Sequence, residues 1–332
     1  MRPTATLLLT ASVIASTGCS KEPPPAAIPL PSDPSERPLS SAKQSPSNDL
    51  EPMLQGLRRA TGTFQTPSEQ QQSEWKDWMA HLISSLDGGN LPTRAAPNGF
   101  AGRFVDAGRL WVIGEQGPNK VGAGAYVLRP GAKNALVIQA PHTFFDQGTL
   151  PLALTLFEQL DAKALMINTM HRAAAGGGAQ GSDEADEDRQ ERARSGQEAS
   201  DLAHSSNSYF QVTHSLFGAE WPGTRFIQLH GFRDEKAPGA SVIVSAAGTN
   251  LDPLPIARSL NAVLGAGTAL VYPEEINKLG GTTNTQARAC KEAGWPFLHL
   301  EISATLRQRM ERQASLREQF AEALSRALLL KH

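Results

Sequence analysis

The sequence predicts an α/β fold, one domain with a largely parallel or mixed sheet flanked by helices. Three observations predict it. Short, fully apolar runs at 135–138 and 164–167 read as strands covered on both faces, as parallel sheets require. Longer stretches such as 68–86 carry apolar residues at helical spacing. The two kinds of segment also alternate along the chain, the order that builds sheet-and-helix layers.

The elements follow in order. Trp75, Trp78, Met79, Leu82 and Leu86 recur at helical spacing over 68–86, and Gly88-Gly89 stops the run. From about Phe104 the pattern alternates, with strands predicted at 110–113, 125–128 and 135–138. A helix is predicted at 150–160 and a strand at 164–167. Strands at 225–229 and 241–244, a helix at 253–264, a strand at 269–272, a helix at 284–293 and a strand at 297–300 come next. One long helix over 304–330 closes the chain.

The N-terminal region reads differently. Residues 1–19 have a short basic start, an apolar run through Ile14 and small residues before Cys19, the pattern of a secretory signal. The run is too short to span a bilayer. Its end resembles a bacterial lipoprotein signal, which implies lipidation of Cys19, export and a lipid-anchored place in the cell envelope, at the outer membrane or periplasmic face; Ser16 stands where such signals usually carry Leu. The alternative is an ordinary cleaved signal. Residues 20–66 are rich in Pro and Ser and read as a disordered tether, leaving 67–332 as the folded domain. Within that domain, residues 173–199 begin with three glycines and continue with acidic residues such as Asp183, Glu184 and Asp186, which predicts a disordered surface insert.

Composition excludes one class of partner. The formal net charge is −2 and aromatics are 6% of the chain, so neither a basic surface nor a base-stacking surface for nucleic acid is predicted. The two cysteines are Cys19 and Cys290; a lipidated Cys19 leaves no intrachain disulfide, so the core alone must hold the fold.

In open parallel sheets, ligands bind beyond the carboxyl ends of the strands. There the sequence places His142 and Asp146, then Asn168 to Arg172, then His230, then Glu301. Two imidazoles and a carboxylate are what a catalytic zinc takes, with one position left for water. His142, Asp146 and His230 are the candidate ligands, Glu301 the general base, and Arg172 an anchor for a substrate carboxylate. Manganese or nickel fits the same ligands less well. Bland readings stand beside these. Asp146 can instead cap the helix that begins near Leu150. Glu301 and Arg172 can instead sit in structural ion pairs, Glu301 with Arg307, and the histidines can bond loop carbonyls.

The pieces Ala140-Pro141-His142, Asn168 to Arg172, Gln228-Leu229-His230-Gly231 and Leu298-His299-Leu300-Glu301-Ile302-Ser303, in that order, resemble the N-formylglutamate amidohydrolase group, itself distantly similar to zinc carboxypeptidases. The resemblance spans about 135–307 without the acidic insert. It implies zinc, a water nucleophile, and cleavage of an amide or peptide bond near a carboxylate in a small molecule or peptide. It also implies that His142 and His230 are ligands, Glu301 the base and Arg172 the anchor. Zinc carboxypeptidases carry Glu three residues after the first histidine, where this chain has Phe145 followed by Asp146.

Weaker candidates complete the set. Asn168, His171, His204 and Asn284 are possible substrate contacts. Asp201 and His204 lie at helical spacing, and His204 is also a replacement ligand should Asp146 fail. Gly280 to Asn284 precedes a helix and offers amide donors to an anion, or forms a plain loop ending in an N-cap. His81, His214, His299 and His332 are read as structural or surface residues, with His299 turned away from the neighbours of Glu301. Two other functions compete with the zinc hydrolase. A serine hydrolase using Ser245 lacks a G-x-S-x-G elbow. A non-catalytic envelope lipoprotein would keep the fold and bind a ligand or partner.

Overall fold

The computed structural model describes residues 50–58, 63–174 and 199–329. The predicted signal at 1–19 with Cys19, residues 20–49 and 59–62 of the predicted tether, residues 175–198 of the predicted insert and His332 lie outside the described residues. Nine strands form one sheet: β1 Phe100–Val105, β2 Leu110–Glu115, β3 Ala125–Leu128, β4 Asn134–Ala140, β5 Ala162–Ile167, β6 Arg225–Phe232, β7 Val242–Ser245, β8 Ala269–Val271 and β9 Phe297–Ser303. The helices are α1 Leu50–Leu57, α2 Glu69–Asp87, α3 Thr149–Gln159, α4 Tyr209–Glu220, α5 Leu254–Leu264, α6 Thr285–Ala293, α7 Ala304–Arg312 and α8 Ala314–Leu329. Among the described residues no helix is long and apolar enough to cross a membrane.

The strand order is β1-β2-β3-β5-β4-β6-β9-β7-β8. The central strands β5, β4, β6 and β9 pair in parallel, while β1–β2–β3–β5 and β9–β7 pair antiparallel. The sheet is thus mixed, with a parallel middle. From β4 the chain crosses through α3 to β5 on one side, then returns through α4 to β6 on the other. The crevice at the carboxyl ends of β4 and β6 is therefore a topological switch point, where open α/β sheets bind ligands.

Strand alternation sorts the side chains between two helical layers. One face packs Leu136, Ile138, Ile227, Leu229, Leu298, Leu300 and Ile302 against α1, α3, α5, α7 and α8. The other packs Val137, Phe226 and Phe297 against α2, α4 and α6. Further along the same strands, this second face carries Gln139, Gln228, His230, His299 and Glu301. Its apolar amino-terminal half thus gives way to a buried polar half.

Several sequence expectations need correction. Leu50–Leu57 lies inside the stretch read as a tether, yet it is a helix. Leu50, Met53, Leu54 and Leu57 share one face, and Leu50 and Leu54 are buried against the core. Beyond its end, an Arg58 guanidinium nitrogen donates to Thr143 O at 2.9 Å and the group stacks 4.1 Å from the Phe144 ring centre. The closing helix is two helices, broken at Gln313, whose backbone is extended. Buried Met310 and Leu316 are six residues apart, out of helical phase, and the break restores the phase so that Leu316 and Phe320 also face the core. β1 was not predicted. It is an edge strand, half-buried except at exposed Arg103, with Gly102 under the indole of Trp111, where a Cβ would lie 2.5 Å from Nε1. α4 was not predicted either. β6 and β9 run to Phe232 and Ser303, so His230 and Glu301 lie within strands and not beyond them.

Candidate metal centre

The loop after β4 makes a tight turn in which the amides of Phe145 and Asp146 both donate to His142 O, at 2.9 and 2.7 Å. A turn of this kind brings residues four apart to the same side, and it sets the Asp146 carboxylate against the His142 ring. Phe145 points elsewhere, under the Arg172 guanidinium at 4.2 Å and edge-on to His171. Asp146 uses only its backbone carbonyl to hold the start of α3, through the Thr149 amide and hydroxyl. Its side chain is not the cap.

Asp146 Oδ2 lies 3.6 Å from His142 Nδ1 and 3.6 Å from His230 Nδ1. The candidate ligand atoms of the three residues all lie within 4.8 Å of one another, and all three residues are buried. Zinc ligands at about 2.1 Å in a tetrahedral arrangement stand about 3.4 Å apart. The two Asp146 edges are close to that value and longer than a hydrogen bond, and the edge between the histidines is no longer than 4.8 Å. His142 Nδ1 and Asp146 Oδ2 are buried without hydrogen-bond partners. A buried orphan of this kind costs about 1–3 kcal/mol, and two of them face each other here. The donor set and its geometry fit a zinc ion.

The far sides of both rings are tied down. His142 Nε2 meets Asp201 Oδ1 at 2.7 Å, and Asp201 Oδ2 lies 3.2 Å from His204 Nδ1. His230 Nε2 meets Gln228 Oε1 at 2.9 Å. In each ring the shortest contact of Nε2 is to an acceptor, with Asn284 Nδ2 also 3.3 Å from His230 Nε2, and Nδ1 faces Asp146, the arrangement found where histidines bind metals. Burial opposes charge on His142, but the charge of Asp201 and the hydrogen bond to it, with Asp146 close by, raise it to about 9. His230 goes the other way: burial dominates and lowers it to about 4 despite Asp146. Burial also works against ionised Asp146 and Asp201, yet the imidazoles hold Asp146 below the usual carboxylate range and His142 above all holds Asp201 well below it.

Glu301 is the register partner of His230. Its Oε1 meets His299 Nε2 at 3.2 Å, while Oε2 is buried and has no hydrogen-bond partner. The ion pair with Arg307 does not form. Arg307 donates to the carbonyls of Ile302, Gln147 and Phe232 instead. His299 does not turn away: two residues before Glu301 on one strand, it shares its face. Its ring is tilted over that of His230 at 4.9 Å. Gly281 has a φ of 64° and lies so close to this ring that a Cβ would come within 2.5 Å of it. The glycine loop packs on His299.

The weaker candidates divide. The Asn168 side chain is taken up by the loops, accepting from the Thr143 amide and hydroxyl and donating to Met170 O. His171 Nδ1 accepts from the amide of Ala173. His204 sits behind Asp201, on a turn and not a helix, and is not among the converging ligands. Asn284 makes no cap bond with its side chain; Nδ2 donates to Gln228 Oε1 at 2.6 Å and lies 3.5 Å from His299 Nδ1. Ser245 donates to Gly280 O at 2.8 Å, which leaves its hydroxyl bonded within the loop and not to an imidazole. Sequence reasoning missed Asp201 as the partner of His142, and missed Gln228 and His299. The signal for the last two was visible as Gln228/His230 and His299/Glu301, polar pairs at alternate positions in otherwise apolar strands.

Neither a family model nor a curated protein matches the sequence. Solved structures give a fold-level likeness. A bacteriophage poly-gamma-glutamate hydrolase is 16% identical with a TM-score of 0.39, the match covering 64% of this chain and 90% of that one. An N-formylglutamate amidohydrolase from Ralstonia eutropha is 12% identical, TM-score 0.36, over 62% of this chain and 98% of that one. A metallo-carboxypeptidase from Pseudomonas aeruginosa is 14% identical, TM-score 0.36, over 80% and 70%. At these scores the likeness has no weight for the chemistry, which rests on the chain's own residues.

Proposed function

We propose that this chain is a zinc-dependent hydrolase that cleaves an amide or peptide bond next to a carboxylate. The observation that carries the reading is the convergence of His142 Nδ1, Asp146 Oδ2 and His230 Nδ1 on one buried point at a switch of the sheet. In this reading those three residues hold the ion. Zinc bound there supplies Lewis-acid chemistry, polarising a carbonyl and acidifying water.

The chain's own groups supply the rest. His299 holds Glu301 by Oε1, which leaves Oε2 to take a proton from the attacking water and return it to the leaving nitrogen. Arg172, stacked on Phe145 and close enough to Asp201 to help hold that carboxylate ionised, offers its planar fork to a substrate carboxylate. Burial excludes bulk water from Asp146 and both imidazoles, which strengthens each electrostatic contact.

The cellular setting is part of the proposal and rests on residues 1–19 alone: export and lipidation at Cys19. Labelling with a radioactive fatty acid, lost in Cys19→Ala, tests it; labelling that survives the substitution would refute it. The activity is tested by loading the purified chain with zinc and screening N-acyl amino acids and dipeptides with free α-carboxylates. Hydrolysis that chelation removes and zinc restores supports the reading. Stoichiometric zinc with no turnover on any member would favour a ligand-binding protein of the same fold.

A further inference from the structure

A set of buried amides runs from the centre to the segment 201–202, and its polarity can be read in one direction only. Gln139, Gln228 and Gln286 are fully buried, and Asn284 nearly so. Gln286 Nε2 donates to the backbone carbonyl of Leu202 at 2.9 Å and to Gln211 Oε1 at 3.0 Å. A backbone carbonyl can only accept. The Gln286 amide is thereby fixed with its oxygen toward Gln228. Gln228 must then present Nε2 to that oxygen, which it does at 3.1 Å, and also to Gln139 Oε1 at 3.2 Å. Its own oxygen is left facing His230 Nε2 at 2.9 Å and Asn284 Nδ2 at 2.6 Å. An amide oxygen has no hydrogen to give, so the 2.9 Å contact with Gln228 Oε1 calls for a proton on His230 Nε2; Asn284 Nδ2 also approaches that nitrogen, but at 3.3 Å and with its short bond already made to Gln228 Oε1, so the shorter contact decides and Nδ1 stays bare toward Asp146.

The residue before Leu202 does the same for the other imidazole, because the Asp201 carboxylate accepts from His142 Nε2. We infer that the dipeptide Asp201–Leu202 directs Nδ1 of both histidines to the centre. It acts on His142 through a side chain and on His230 through the amide chain Leu202 O–Gln286–Gln228, which makes Gln228 and Gln286 positioning residues for a bound metal. The inference rests on the reading of His142 and His230 as ligands. It adds a coupling between the two sides of the centre, anchored by one main-chain carbonyl that lies in neither ligand-bearing segment.

Long-range 1H–15N correlation of the histidine side chains in the metal-free protein tests it without reference to turnover. Wild type is expected to show His230 as a single Nε2–H tautomer. Gln228→Leu should mix the tautomers and weaken zinc 10–100-fold, the usual cost of losing such a partner, read by competition with a chromophoric chelator. Gln286→Leu does not touch His230, yet it should also mix the tautomers, with a smaller loss of affinity. A wild-type His230 protonated on Nδ1 would overturn the inference, and so would a Gln286→Leu protein with an unchanged His230 tautomer. If wild type binds no zinc at all, the hydrolase reading fails, while the metal-free spectrum still decides whether the amide chain sets the ring.

Discussion

The two faces of the sheet are built to different rules. Under α3, α5 and α8 the central strands present Leu136, Ile138, Ile227, Leu229, Leu298, Leu300 and Ile302, all buried and all aliphatic. Under α2, α4 and α6 the same strands begin with Val137, Phe226 and Phe297 and then turn polar, with Gln139, Gln228, His230, His299 and Glu301. The first face needs only shape and water exclusion. The second must pair every polar atom, and it does so for the amides while leaving His142 Nδ1, Asp146 Oδ2 and Glu301 Oε2 bare. His142 Nδ1 and Asp146 Oδ2 face each other at 3.6 Å, and Glu301 lies beside His230 in the sheet register; in the proposed reading these bare atoms are the ones a ligand would take. Stability and chemistry therefore sit on opposite faces of the same strands and should be separable by mutation.

The sharpest separation is expected at neighbouring positions of β9. Glu301→Gln removes the base without changing the volume and should lower kcat by about 10²–10⁴-fold, with zinc content and thermal midpoint close to wild type. Loss of zinc in this variant would instead make Glu301 a ligand. Leu300→Ala, one residue away but on the aliphatic face, should do the reverse. It should cost about 2–5 kcal/mol in urea unfolding while the surviving folded protein keeps its zinc affinity. An equal effect of both variants on both readouts would erase the distinction between the faces.

A smaller effect is expected deep on the polar face. His214 accepts from Gln139 Nε2 at 3.0 Å, and burial lowers it to about 3. The unfolded chain takes up this proton near pH 6.5. Stability from the neutral ring is therefore complete above about pH 6.5 and drains away as the pH falls toward 3, by a few kcal/mol in all. His214→Gln should be less stable than wild type at pH 7, and the gap in urea midpoint should narrow by pH 4. A gap independent of pH would contradict the neutral buried ring. The smallest effect is expected at the rim. Arg172→Ala should raise KM by roughly 10–100-fold for substrates that carry a carboxylate, with little change in zinc affinity. A fall in kcat alone would move Arg172 from anchoring to the chemical step.

The sequence made the aliphatic face easy to see and the polar face hard. Runs such as Ala135-Leu136-Val137-Ile138 are short, apolar on both faces and bounded by turns, so strand identity followed from composition. His142, His230 and Glu301 stood out as polar residues at the ends of such runs. Asp146 was legible as a candidate, but its role was not, because a carboxylate four residues on can equally cap a helix; only the turn at 142–146 decides where it points. Asp201 was beyond reach as a partner of His142. It follows the acidic insert by two residues, and nothing local marks a side chain that closes a contact across 59 residues of chain. His299 was legible and misread, since alternation puts it on the face of Glu301. The helix Leu50–Leu57 was hidden by the proline-rich composition around it.

Metal content, measured by elemental analysis of the purified chain beside His142→Ala and His230→Ala, tests the proposed centre most directly. Wild type is expected to hold near-stoichiometric zinc and both variants to lose it, each still folded by circular dichroism. A wild-type protein that holds no metal even after zinc is added, or variants that keep it, would contradict the proposed centre.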